Sequence, residues 1–320
     1  MDRVWTRCAA AWLLAISVAL WHPWAWAAEA GPTVRIDEVS LGRFGRQRWV
    51  NAFLTVADDE GVAVTGLEAE AFRVRVGGRE LTLLDAQPVA ALDRPLAWAV
   101  VLERSEEMAT SWTLIRRGVT EFIEEMGFRH PGVVVDYTGS AEVLAGPDAN
   151  AARLAEALAE TAPEPGRRRL VEGLLLGLEN LDLMSASWDR EGRRAMVLLT
   201  EGVEEGSRFA LGVARSDLID SNTALFVIEY GGAEAQTLEY LDRLAADTGG
   251  EAFYSALPDE IIPMLLAAAD RIKHQYAVNA EFDPRRCVGQ WTDLFVAVET
   301  PLGSAEAETK FTCPASVGRQ

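Results

Sequence analysis

Glu103 follows directly on the apolar run Ala97-Trp98-Ala99-Val100-Val101-Leu102, and Glu201 stands in the same place after Ala195-Met196-Val197-Leu198-Leu199-Thr200. Runs of this kind read as parallel strands buried on both faces. Ligand sites of open α/β sheets lie just beyond the carboxyl ends of such strands. Two strand ends that each present a carboxylate therefore define a candidate site. Paired acids divide into acid and base roles when their environments differ, which makes a carboxylate-pair hydrolase one reading. Three features weigh against it. The chain has no Gly-x-Ser-x-Gly elbow, His130 and His274 fall at element edges, and nearby arginines hold both acids ionised. A dinucleotide site needs a glycine-rich turn after the first strand, and Glu103 to Glu107 supplies acids that repel phosphate.

These strands have to be held by an alternating α/β body. Strands are expected near 97–102, 132–137, 195–200, 224–230 and 251–254, with a short hairpin strand at Glu142 to Leu144. Leu170, Val171, Leu174, Leu175, Leu178 and Leu181 trace a helical stripe, and Leu154, Ala155 and Leu158 a shorter one capped near Asp148. On either side the period changes to two. Phe72, Val74 and Val76 alternate with Arg73 and Arg75, and Val50, Ala52, Leu54 and Val56 repeat the pattern. About five antiparallel strands are expected over 33–88. Three more follow His274, too few to bury a core alone. The expectation is a Rossmann-like doubly wound, mostly parallel sheet over 93–274. The segments 31–92 and 275–316 are expected to join into one Ig-like β-sandwich. Trp98, Trp112 and Trp188 read as packing residues.

The chain has 320 residues, 49% hydrophobic and 25% charged, with a net charge of −19. That sign disfavours nucleic acid and anionic lipid as partners. Residues 1–27 read as a signal peptide: Arg3 and Arg7 precede the apolar stretch Ala9 to Trp21, and Ala25-Trp26-Ala27 forms a small-x-small cleavage site. The stretch is 13 residues long, short for a membrane span. Without Asp2, Arg3 and Arg7 the charge moves from −19 to −20. The expected destination is periplasmic or extracellular, with no membrane span in the mature chain. Cys8 leaves with the signal, so Cys287 and Cys313 remain as an even pair in an exported chain. A disulfide is favoured over a metal site, because the only histidines are His22, His130 and His274.

In order and spacing these segments resemble a von Willebrand factor type A domain, in particular the exported bacterial group related to it. Val56-Ala57-Asp58-Asp59-Glu60-Gly61 and Thr65-Gly66-Leu67 are similar to that group's N-terminal module. Tyr137-Thr138-Gly139-Ser140-Ala141-Glu142-Val143 and Leu198-Leu199-Thr200-Glu201-Gly202 are similar to the type A core, and Gln290-Trp291-Thr292-Asp293-Leu294 fits the closing strand. The resemblance implies a metal-ion-dependent adhesion site: Asp-x-Ser-x-Ser after the first strand, a loop Thr and a later Asp, around a divalent cation that accepts a partner's acidic residue. Carried over, these positions fall on Glu103, Ser105, Glu107, Arg168 and Glu201. Only Ser105 is retained, so the site is degenerate. Magnesium demands near-octahedral geometry at about 2.0–2.1 Å, which longer carboxylates and an arginine upset.

The expected arrangement is therefore a guanidinium, Arg168 with Arg167 or Arg169, facing Glu103, Glu107 and Glu201 as a counter-charge. Magnesium and a looser calcium site are the alternatives; otherwise no cofactor is expected. The resulting function is a non-catalytic interaction module that binds a protein partner through this face. Arg104, Glu106, Arg167, Arg169, Glu204 and Glu205 form its expected rim. A structural envelope component is the bland alternative.

Overall fold

An apolar run stays buried only if both faces of its strand are covered, and two layers of helix do this here. The computed structural model describes residues 31–44, 47–91, 95–127, 129–146, 151–188, 192–287 and 289–313. The segment 1–27 expected to be a signal peptide and the expected Asp148 cap fall outside them. In chain order β1 (Thr33–Phe44), β2 (Gln47–Ala57), β3 (Phe72–Val76), β4 (Arg79–Glu80) and β5 (Leu83–Pro88) come first. The α/β stretch comprises β6 (Leu96–Glu103), α1 (Trp112–Met126), β7 (Gly132–Tyr137), β8 (Ala141–Ala145), α2 (Ala151–Ala159), α3 (Leu170–Ser185) and β9 (Arg193–Thr200). It continues through α4 (Leu211–Asp220), β10 (Thr223–Tyr230), α5 (Ala235–Asp247), β11 (Ala252–Ser255) and α6 (Ile261–His274). Strands β12 (Tyr276–Glu281), β13 (Trp291–Thr300) and β14 (Gly303–Thr312) close the chain.

The central sheet runs β11-β10-β9-β6-β7-β8, and all pairs are parallel except β7 with β8. Leu96, Trp98, Val100 and Leu102 face α1 and α6 with Ile115, Val119, Phe122 and Leu265. Ala97, Ala99 and Val101 face the opposite way, against Leu170, Val171 and Leu174 of α3 and Leu218 of α4. Every residue of β6 is buried, as a central strand of a doubly wound sheet requires. Trp98 and Trp112 are core residues and Trp188 packs at the margin.

The terminal strands interleave. One sheet runs β1-β2-β12-β5 and the other β14-β13-β3-β4, so N- and C-terminal segments share both sheets. Val50, Ala52, Leu54, Phe72, Val74, Tyr276, Val278, Leu294 and Val296 fill the space between them. Cys287 and Cys313 form a disulfide with their Cα atoms 5.5 Å apart.

A buried polar network fastens this sandwich to the α/β body. Arg193, at the start of β9, lies over the Phe53 ring at 4.5 Å and pairs with Glu38. It donates to Gln275 Oε1 at 3.1 Å and to the Gly249 carbonyl at 3.3 Å. Gln275 Nε2 in turn donates to Asp37 Oδ2 at 3.0 Å. Among the described residues no helix is long and apolar enough to cross a membrane.

Candidate functional site

The last residue of β6 carries the carboxylate round which the strand ends are built. Glu103 is fully buried. Its Oε1 accepts from Ser105 Oγ at 2.7 Å. Its Oε2 accepts from Thr200 Oγ1 at 2.8 Å and from the Glu201 backbone N–H at 2.9 Å. The Tyr137 hydroxyl lies 3.2 Å from the same oxygen and 2.8 Å from Thr200 Oγ1, so its single proton is shared between the two. Three neighbouring strands, β6, β7 and β9, thus end in one hydrogen-bonded knot. Burial and the Glu103 charge together push the Tyr137 phenol well above its ordinary range. Helix α3 can close over this knot only because residue 173 is glycine: a Cβ there would sit 2.8 Å from the Tyr137 ring.

Arg168 reaches the mouth from the loop between α2 and α3. Its Nε and Nη2 fork Glu205 at 3.1 and 3.0 Å. Its Nη1 lies 3.4 Å from Glu201 Oε2 and 3.9 Å from Glu107 Oε1. The Glu205 hydrogen bonds raise the Arg168 pKa further, and the same contacts hold the Glu205 carboxyl below the usual range. Burial, together with the Glu103 charge, pushes Glu201 upward despite Arg168.

The arrangement differs from the sequence expectation in four respects. Glu103 does not pair with the guanidinium as one of three carboxylates: it accepts from neutral donors, and Glu205 takes the forked contact with Arg168. Arg104 is not on the rim; it turns towards β7, pairing with buried Asp136 and lying 3.0 Å from Glu164. Glu204 anchors a loop: its Oε1 accepts from the Gly206 and Ser207 N–H groups, its Oε2 from the Val171 N–H and Ser207 Oγ. Arg169 pairs with Glu172 at 3.1 Å and does not join the counter-charge. Exposed Glu106, Glu107, Arg167 and Glu205 are left around the mouth.

Sequence reasoning missed Tyr137 and Thr200, whose polar ends read as the last residues of apolar strands. Nor did it single out Phe209, which is 52% exposed just before α4. The signal available for Thr200 was its position immediately before Glu201.

No protein-family model matches this sequence, and no curated protein sequence is similar to it. Among solved structures, a von Willebrand factor type A protein from Catenulispora acidiphila superposes with a TM-score of 0.50. It is 13% identical, and the match covers 88% of this chain and 74% of that one. The fold is the von Willebrand factor type A fold. Proximal thread matrix protein 1 from the mussel byssus matches at a TM-score of 0.48 and 16% identity over 60% of this chain. Here the chain spans about half of the other protein, 49% of its length. A pilus adhesin from Lactobacillus rhamnosus GG matches at a TM-score of 0.46 and 10% identity, over 88% of this chain and 47% of the adhesin.

The divalent ion implied by type A resemblance can be tested against the donors at these strand ends. Glu103 is fully buried beneath the mouth, its charge already met by neutral donors from within the protein. The position carried over for the loop hydroxyl holds the Arg168 cation, 14% exposed. A cation ligated by oxygens cannot share that space with a guanidinium. These residues do not fit the ion.

Proposed function

We propose that this chain is an exported, non-catalytic protein-interaction module that docks a protein partner on the strand-end face of its type A body. Residues 93–274 would form that body, with 31–92 and 275–316 as its sandwich base and 1–27 as the signal peptide removed on export. The observation that carries the reading is the exposed rim over a rigid knot. Glu106, Glu107, Arg167, Glu205 and Arg208 are exposed on the loops beyond β6 and β9 and before α3, and Phe209 adds an apolar surface. Aromatic and arginine side chains of this kind dominate interface energetics, while charged rims set specificity and encounter rate. The full burial of Glu103 supports a non-catalytic role, since a carboxylate closed off from solvent does not meet a substrate. The Cys287–Cys313 disulfide suits an oxidising compartment.

Partner capture on the immobilised mature chain tests this reading. Substituting Glu107, Arg167 and Phe209 by alanine is expected to abolish capture of whatever species the wild type retains. Undiminished capture by that triple variant would move the interface to the sandwich.

A further inference from the structure

We infer that the Arg168 guanidinium is the resident cation of these strand ends, a covalently attached charge standing where the type A resemblance calls for a divalent ion. The docking face is the one proposed above, and this inference concerns how that face is neutralised. Three observations converge on it. First, Nη1 of Arg168 lies 3.4 Å from Glu201 and 3.9 Å from Glu107, two residues that the resemblance assigns to the ion. Second, the loop that delivers Arg168 is tied down on both sides. The Arg168 N–H donates to Glu205 Oε2 at 3.2 Å, and the Glu205 N–H returns to the Arg168 carbonyl at 2.9 Å. Third, the buried acid, Glu103, is satisfied by two hydroxyls, a shared phenol and a backbone N–H, so no ion is needed to hold it.

The substitutions make sense as a set. A guanidinium is planar and larger than a bare ion, and forked pairing requires carboxylates that reach it edge-on. Glutamates at 201 and 205 supply such edges, and the forked contact with Glu205 spends two of the guanidinium's donor positions. A partner carboxylate would find no open ion to bind and would meet exposed Glu107 and Glu205. Docking on this face is therefore independent of divalent ions and does not use the partner's acidic group as its anchor.

Calorimetric titration of the chelator-treated mature protein with magnesium, manganese and calcium tests this without any partner. Wild type is expected to show no saturable heat with any of the three up to millimolar concentration. R168A is expected to melt at lower temperature, and its midpoint to rise with magnesium or calcium more than with sodium chloride of equal ionic strength. R168K, which keeps the charge, should remain indifferent to the ions. Stoichiometric binding to wild type, weakened at least tenfold by E201Q, would overturn the inference. So would an R168A protein as stable as wild type and unresponsive to ions. The wild-type titration decides the matter even where R168A does not fold. Capture that requires an ion would remove this inference and leave the docking face standing, whereas capture untouched by rim substitutions would do the reverse.

Discussion

Hydrogen bonds with a carboxylate at their centre are the residue-scale device of this protein, used at Glu103 and again at Glu204. Glu103 and Glu204 each accept several donors, but they differ in what surrounds them. Around Glu103 the Thr200 hydroxyl donates to the acid and accepts from the Gly202 N–H at 2.8 Å, so it also fixes the turn after β9. T200V leaves the buried carboxylate one donor short and is expected to cost about 1–3 kcal/mol in urea unfolding. Glu204 is only partly buried. Burial alone would raise its pKa, but the Ser207, Val171 and Gly206 donors outweigh this and hold it below the usual value. A carboxyl depressed on folding adds stability above its unfolded pKa, about 4.3, and that stability is lost as pH falls through the folded value. E204Q is therefore expected to be about 1 kcal/mol less stable at neutral pH. Unfolding curves measured at successively lower pH should bring the two proteins together as the pH falls through the lowered folded-state value.

Among the elements, α3 decides whether the knot can form. It lies against β6 and β7 through Gly173 and Gly177, where a Cβ would come within 2.8 and 2.9 Å of Tyr137 and Val101 respectively. G173A would gain helix propensity but must push the helix or the ring aside, and overpacking of that kind costs about 1–3 kcal/mol. Unfolding should give a net loss, and the Tyr137 environment, read by near-ultraviolet circular dichroism, should change with it. The stripe of leucines from 170 to 181 was enough to foresee α3. The two glycines look unhelpful to a helix in isolation; their value lies in what the sheet brings opposite them.

At the scale of the whole molecule, a buried polar network joins sandwich to α/β body, and a disulfide staples the sandwich itself. Arg193 is 1% exposed and joins Glu38, Gln275 and the Gly249 carbonyl across the junction. R193A removes the guanidinium that pairs with Glu38 and bonds Gln275 and the Gly249 carbonyl, and breaking a buried pair costs about 3–5 kcal/mol. Loss of a single cooperative transition in calorimetry would mark the uncoupling of sandwich from body. The Cys287–Cys313 bridge closes a loop of 26 residues. Replacing both cysteines by alanine is expected to lower stability by about 3–4 kcal/mol, and reduction of wild type should reproduce the loss.

Local pattern by itself determined the strands, the switch from period two to helix and back, the paired cysteines and the carboxylates at the ends of β6 and β9. Each is carried by burial along one element, which the order of residues records directly. Tertiary structure alone decided which charges meet. Glu205 replaces Glu103 against Arg168, and Arg104 turns away to Asp136, because these partners come from segments more than 30 residues apart. A carboxylate's role is set by the donors that packing brings to it, and no run of neighbouring residues contains that information.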